Sequence, residues 1–270
     1  QEPIRKEFQL DDGLMGWLGG PAFAVLYALL GIPIARFAER HNRIGIVAMG
    51  AALWSLMTAA CGFAGNFVHL ALARVGVGIG EAACTPPAHS VISDYFPENK
   101  RASALAIYAL GIPIGTMMAS VGGAWLVQNF DWRMAFWGLG APGIVAALVF
   151  KITVREPPRS GAETSAPAFR EVLKALAGKP SFWHVSFAAA LVAIVGYGTS
   201  QYLVTHFVRT YHVAHFDASL AFGVVAGGAA GLGTFLGGAI GDRLRPRHPS
   251  VLGWMPALGL ALALPLYVLA

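Results

Sequence analysis

Apolar residues run through this sequence in eight blocks, at 14–35, 45–64, 67–92, 102–127, 133–153, 183–207, 218–240 and 251–270, with short polar stretches between them. Each block is near or above the ~20 residues that a helix needs to cross ~30 Å of hydrocarbon. None alternates with a period of two, which argues against a lipid-facing barrel. The pattern therefore predicts an all-α integral membrane protein with about eight spans. The breaks at 64–67, 93–101 and 128–133 are short, so consecutive spans are expected as antiparallel neighbours. One segment departs from the rhythm. "REPPRSGAETSAPAFREVLKALAGKP" opens with Pro, Ser and Gly and then turns amphipathic and basic. We read residues 154–182 as a cytoplasmic linker ending in a short interfacial helix, set between an N-terminal bundle, 1–153, and the start of a C-terminal bundle, 183–270.

Composition agrees with the pattern. Of the 270 residues 56% are hydrophobic and 12% charged, with a mean hydropathy of +0.59. A soluble domain carries about 25% charged residues. The net charge of +5 is informative through its placement. With the N-terminus outside and strict alternation, the inward loops hold fourteen Lys and Arg, among them Arg36, Arg40, Arg43, Arg159, Arg243, Arg245 and Arg247. The outward segments hold four, Arg5, Lys6, Arg133 and Arg209. The positive-inside rule then makes the basic loops cytoplasmic, as in a multi-pass protein of a bacterial inner membrane. The basic balance thus reports topology and a bilayer partner, not a nucleic acid. "QEPIRKEFQLDDG" is polar and lies outside without a segment to export it, and "LALALPLYVLA" stops while still apolar. Both ends lead us to expect an interior piece of a longer protein, monomeric in the membrane. Cys61 and Cys84 lie within spans, form no spacing motif and are expected to pack.

The stretch "LARVGVGIGEAACTPP" carries the chemistry. Arg74 and Glu81 are seven residues apart, so they share a helix face about 10 Å apart, with Arg74 about 12 Å and Glu81 about 22 Å along the span from Asn66. A charge at that depth costs about 2.5–3.5 kcal/mol on insertion scales and normally faces a bundle interior or a watery cavity. One reading is a closed ion pair. The spacing favours another: Arg74 offers a planar fork to a carboxylate or phosphate, and desolvated Glu81 takes up and releases a proton near neutral pH. Ligand on Arg74 would then change the proton affinity of Glu81, and a proton gradient could drive an anion. Gly76, Gly78 and Gly80 do not make a nucleotide loop, because no strand precedes them; they allow close helix approach. Pro86 and Pro87 are expected to loosen the inner end of the same helix. "GIPIGTMMASVGG", with Gly111, Pro113 and Gly115, reads as a pliable, tightly packed helix. Tyr197, Ser200, Gln201 and Thr205 form one polar stripe, which serves either cavity lining or helix–helix hydrogen bonding. His206, His212 and His215 have no completing carboxylate or metal-site spacing, so no metal and no cofactor other than the proton is expected. No Ser/His/Asp or Cys/His constellation supports an enzyme, and no phosphate-cradling loop supports ATP drive.

The two bundles share a repeat. "GIPIARFAERH" at 31–41 aligns without gaps to "GAIGDRLRPRH" at 238–248, pairing Gly31 with Gly238, Arg36 with Arg243, Arg40 with Arg247 and His41 with His248. Equivalent loops at equal depth in two bundles are what duplicated transporter halves produce; a channel has no need of them. These loops resemble the glycine–acid–arginine loop of the major facilitator superfamily, with Ala35 in place of the usual acid and Asp242 keeping it. On that register the eight spans correspond to helices two to nine of twelve. "RVGVGIGEA", "PPAHSVISDYFP", "RASALAIYALGIPIG", "DWRMAFW" and "REPPR" are similar to the Spinster branch of that superfamily. The resemblance implies a two-bundle transporter fold with pseudo-repeated halves, working by alternating access. It also implies that Arg74 and Glu81 handle substrate and proton, and that Arg36, Arg40, Asp94, Asp242 and Arg243 form a cytoplasmic gate, with Asp94 beside Arg36. The motif at Gly111–Gly115 resembles one frequent in antiporting members. The implied cargo is an amphipathic anion such as a lysophospholipid or sphingoid phosphate; the alternative is a small organic anion such as a sugar acid, moved by proton symport.

Overall fold

The computed structural model describes residues 2–159, 169–244, 248 and 250–269, and among these every regular element is helical. Two short helices, α1 (Glu2–Glu7) and α2 (Asp12–Gly19), lead into α3 (Pro21–Ala38). There follow α4 (Arg43–Cys61), α5 (Phe67–Ala82), α6 (Thr85–Tyr95), α7 (Arg101–Ala109), α8 (Gly111–Asn129) and α9 (Trp132–Thr153). The linker carries α10 (Phe169–Ala177), and after it come α11 (Pro180–Tyr211), α12 (His215–Phe222), α13 (Gly228–Leu244) and α14 (Val251–Leu269). Six stretches are long and apolar enough to cross a bilayer: Arg43–Cys61, Phe67–Tyr95, Glu98–Asn129, Trp132–Thr153, Pro180–Tyr211 and His215–Leu244. Shorter apolar helices at Val25–Ala38 and Gly253–Pro265 complete the eight.

The chain turns between spans on capping residues. The side chains of Asn42, Asn66 and Asp131 accept from the backbone N–H groups of Gly45, His69 and Trp132, closing the starts of α4, α5 and α9. Large apolar side chains point outward all along the spans; Leu29, Leu72, Ile112 and Ile152 are each well over half exposed. Such a surface is a liability in water and suits acyl chains.

Three predicted spans are broken, the fourth block, 102–127, at Leu110 between α7 and α8. The first block, 14–35, divides at Gly20, which is followed by Pro21 at the first turn of α3. Pro21 removes a helical N–H and disfavours helix at the residue before it, and Gly20 takes the non-helical φ −119°, ψ −104° that ends α2. Freed from the span, α2 joins α1 across the ends of α4, α5 and α9. There Ile4, Leu10, Met15 and Leu18 bury against Cys61, Leu70, Ala73 and Trp132. The third block breaks at Ala83–Cys84, where Pro86 and Pro87 open α6, as the prolines predicted. Between α12 and α13, Gly223–Gly227 form a single π-helical turn.

Close approach fixes two seams. A Cβ on Gly80 would lie 2.5 Å from the Trp54 backbone nitrogen and one on Gly50 would lie 2.7 Å from the Gly80 carbonyl, so α4 and α5 touch backbone to backbone. Between the two halves, Gly227 of the π turn sits where a Cβ would be 2.9 Å from the Pro113 carbonyl, and Gly238 is closed by Ala106. This glycine seam sets α12 and α13 directly on α7 and α8.

At one end of the molecule Arg43, 3% exposed, gathers three elements. It donates to Glu156 Oε1 (2.6 Å), Ser90 Oγ (2.8 Å), Asp94 Oδ2 and the Pro157 carbonyl. The other oxygen of Glu156 accepts from the Ile44 N–H at 3.1 Å. Burial draws the Glu156 carboxyl upward, but the hydrogen bonds from Arg43 and Ile44 outweigh it and hold the group below its ordinary range. The starts of α4, the end of α6 and the chain after α9 are thereby clamped together.

Candidate functional site

Arg74 projects from α5 into a chamber of about 400 Å³. Its walls include Thr58 from α4, Ser120 from α8, Trp132 from α9, Gln201 from α11 and Ser219 from α12, so both halves contribute. A second, mostly apolar cavity of about 860 Å³ runs between α4, α6, α8 and α9 toward Ile44 and Val154. Thr58, Ala119 and Leu139 border both spaces. A cation with hydroxyl and amide neighbours thus lies beside a larger, mostly apolar space. Chemically that pair suits a ligand with an anionic head and a hydrocarbon tail.

Glu81 lies two turns farther along the same face, half-buried, within electrostatic reach of Arg74 and outside the chamber wall. Tyr197 approaches it from α11. The polar stripe of α11 therefore divides. Tyr197 faces Glu81, Gln201 lines the Arg74 chamber, Ser200 donates to the Tyr197 carbonyl of its own helix (3.0 Å), and Thr205 is half-buried.

The glycines also divide. Gly76 faces Met57, Gly78 is buried and Gly80 meets the Trp54 backbone. A Cβ on Gly111 or Gly115 would meet nothing within 4 Å, so the tight packing expected there belongs to Pro113, which is buried against Gly227 and Gly231.

At the basic-loop end, Asp94, expected beside Arg36, is engaged by Arg43. Arg36 is 3.8 Å from Glu39 and its guanidinium lies 5.8 Å from the centre of the Phe169 ring on α10. Arg40 and Arg243 are exposed; Arg245 and Arg247 lie outside the described residues. Asp242 makes the contact between halves. Its Oδ2 accepts from both the N–H (2.8 Å) and the hydroxyl of Ser103, in the first turn of α7. That helix has no side-chain cap of its own, so α13 supplies one, and its carboxylate also complements the positive end of the α7 dipole.

The opposite end has a link that the sequence reading missed. Arg209, in the last turn of α11, reaches Glu2 of α1 and both oxygens of Asp12 of α2 (2.9 and 3.0 Å). Burial raises Glu2, but Arg209 and Arg5 outweigh it and hold the carboxyl low, and Arg209 does the same for Asp12. Nearby, Glu7 accepts from Arg133 and from the Trp132 indole (2.6 Å each), which holds its carboxyl below its usual range. The only sequence signal was four acids in the first twelve residues; Arg209 lies 207 positions from Glu2 and 197 from Asp12. Among the described residues, no three His, Cys, Asp or Glu are grouped to hold a metal.

A bundle of apolar helices in two interlocked parts, with a charged chamber between them, defines a multi-pass α-helical membrane protein of the two-bundle carrier type. The chain belongs to the Major Facilitator Superfamily, whose family model matches residues 1–270. It is 33% identical over 276 residues to an MFS-type efflux pump of Mycolicibacterium smegmatis, a match covering 100% of this chain and 63% of that protein. It is 30% identical over 291 residues to mouse protein spinster homolog 1, covering 96% of this chain and 55% of the relative. A crystal structure of a bacterial homologue of the human lysosomal transporter Spinster, inward-facing and unoccupied, superposes with a TM-score of 0.76 at 39% identity, covering 99% of this chain and 62% of that one. The occupied form gives 0.74 at 40%. The chain thus spans between about half and two thirds of the length of these proteins, and the Spinster resemblance extends through all of it.

Proposed function

We propose that this chain forms the ligand- and proton-handling part of a secondary active transporter that works by alternating access and moves an amphipathic anion, such as a lysophospholipid or a sphingoid phosphate, across the cell membrane. One observation carries the reading: Arg74 and Gln201, from the two halves, wall a single chamber that shares Thr58, Ala119 and Leu139 with a mostly apolar cavity of about 860 Å³. Arg74 holds the anionic head as a bidentate donor. Glu81 carries the coupling proton, and its closeness to Arg74 makes the two occupancies interdependent: an anion that neutralises Arg74 removes the positive field that favours the Glu81 carboxylate. Links between the halves at both ends, Asp242 to Ser103 and Arg209 to Glu2 and Asp12, support the alternating motion, since each would have to yield in turn. The Spinster names of the relatives support the substrate class, and the basic loops support a cytoplasmic face for the Arg43 end.

The test is transport by the intact protein in proteoliposomes, with a panel of lysolipids and sugar acids offered across a pH gradient. Lysolipid uptake that depends on the gradient and is lost in Arg74→Gln is expected. Full gradient-dependent transport by Glu81→Gln would remove the proton role, and uptake of sugar acids alone would remove the lipid.

A further inference from the structure

Glu81 lies in the last turn of α5, and Thr85 and His89 lie one turn apart on α6; Ala83 and Cys84 between them keep near-helical angles, so the three follow one another over about 12 Å from mid-span toward the basic-loop end. The file is flanked on both sides by phenols. Tyr27 of α3 donates to Thr85 Oγ1 at 3.4 Å, and the Tyr108 hydroxyl of α7 lies within reach of the same side chain. The Tyr108 ring in turn meets the His89 imidazole edge to face, with centroids 5.5 Å apart. Thr85 is half-buried, whereas His89 is exposed. Pro86 and Pro87 have no N–H, so the carbonyls of Ala82 and Ala83, next to Glu81, lack their usual helical donors and remain acceptors for water.

We propose that Thr85, Tyr108 and His89 form the route by which protons pass between Glu81 and the basic-loop face, with His89 as the acid–base group at its mouth. The inference rests on the reading that Glu81 carries the coupling proton. In each passage the Glu81 carboxyl gives up its proton to an oxygen of the file, each hydroxyl accepts one proton and releases one, and the imidazole takes the last and hands it to solution. No electrons move and no co-reactant is needed. Hydroxyls can both donate and accept, and imidazole changes charge in the physiological range, so these groups suit the task. Packing alone would account for one tyrosine satisfied by Thr85. It does not account for two phenols from different helices converging on the one threonine that lies between a mid-span carboxyl and an exposed imidazole. The other titratable and charged groups around the file are Arg74 and Tyr197, which face Glu81 at its inner end, Cys84 between Glu81 and Tyr108, Arg43 from α4 at Ser90 and Asp94, and Arg101, which donates to the Ser93 carbonyl.

The experiment uses the intact protein in liposomes with a pH-sensitive dye inside, and a lysophospholipid as the probe. His89→Ala is expected to slow gradient-driven uptake by roughly 10²-fold, the lower range for removing a positioned proton-transfer group. Substrate exchange at equal pH on both sides, which needs no net proton release, should stay near the wild-type rate. Imidazole added to the buffer should restore the driven rate of His89→Ala. Tyr108→Phe and Thr85→Val should slow driven uptake without imidazole rescue, and Thr85→Ser should be close to wild type. The route is overturned if His89→Ala keeps the wild-type driven rate and pH profile, or if exchange falls as much as driven uptake, or if imidazole restores nothing. Failure of the underlying reading is visible separately: Glu81→Gln would then keep its gradient dependence, whatever His89 does.

Discussion

Replacing Arg43 by Met tests the claim that a single buried guanidinium holds the basic-loop end together. The substitution preserves most of the side chain's apolar volume but leaves the carboxylates of Asp94 and Glu156 facing each other without a cation. Removing one partner from a buried ion pair costs about 3–5 kcal/mol. Here the side chain of Asp94 is 12% and that of Glu156 23% exposed, so water at the rim moderates the loss. We expect about 2–3 kcal/mol after that discount. At about 2–4 °C per kcal/mol, this lowers the melting midpoint by about 4–12 °C. The protein carries its own reporter: Cys61 and Cys84 are free and buried, so a thiol-reactive fluorophore in detergent reads the unfolding directly. Adding Asp94→Asn and Glu156→Gln to Arg43→Met should recover part of the loss, because no charge is then left without a partner. A triple variant less stable than Arg43→Met, or an Arg43→Met variant that melts with the wild type, would refute the electrostatic account.

The same clamp has a defined pH dependence. Glu156 is held below its ordinary value of 4.5 in the folded protein, so its stabilising contribution is complete above that value. It is lost as pH falls below 4.5 and through the lower folded value. Melting midpoints of wild type and Glu156→Gln should therefore differ by a constant amount between pH 6 and 8 and converge only in strong acid. Convergence already at pH 6 would show that another group sets the difference.

Two further outcomes follow from the seams. Asp242→Ala removes the cap that α13 lends to α7, worth about 0.5–2 kcal/mol; spin labels on exposed Ile107 and Ile240 should report a population separated at the basic-loop end that grows about 2- to 30-fold. An unchanged distance distribution would mean that this contact does not hold the halves. Gly80→Ala forces a Cβ to within 2.5 Å of the Trp54 backbone nitrogen and should cost about 1–3 kcal/mol in the thiol-reactive melt, whereas Gly115→Ala, facing open space, should be neutral or gain up to about 1 kcal/mol of helix propensity. Equal effects of the two would contradict the packing difference.

Much of this architecture was written locally. Runs of about twenty apolar residues, Asn42, Asn66 and Asp131 at the turns, and Pro86–Pro87 inside a block are short-range signals, and the helices begin and break where those residues require. Arg74 and Glu81 stood out because charge in hydrocarbon is costly wherever the rest of the fold lies. What periodicity could not supply was the partner of each charge. Arg43 looked like one more loop arginine, yet its acids are 51 and 113 residues away. Arg209 counted only as one of four basic residues in the outward segments. The assignment of Asp94 to Arg36 failed to anticipate Arg43 for the same reason: helical register places a side chain on a face, while the crossing of α4, α6 and the segment after α9 decides which cation arrives there. The first block misled through its own apolarity, because hydropathy does not register the break that Gly20 and Pro21 impose.

The distribution of the ionic contacts has a mechanical consequence. Arg43 is 3% exposed, makes four side-chain hydrogen bonds, and joins α4 and α6 of the first half to the start of the linker. The contacts that cross from one half to the other are of a different kind. Asp242 approaches the first turn of a single helix, and Arg209, with a side chain 42% exposed, pairs with Glu2 and Asp12 where water and salt compete for all three. Between these ends the halves meet along Gly223, Gly227 and Gly238, which bring backbones close without interlocking side chains. A molecule whose parts rock against each other needs stiff halves, a smooth seam and end contacts weak enough to exchange. Strong charge pairing inside one half, with solvent-accessible pairing across the divide, meets that requirement, and the arrangement would fail it if the two kinds of contact changed places.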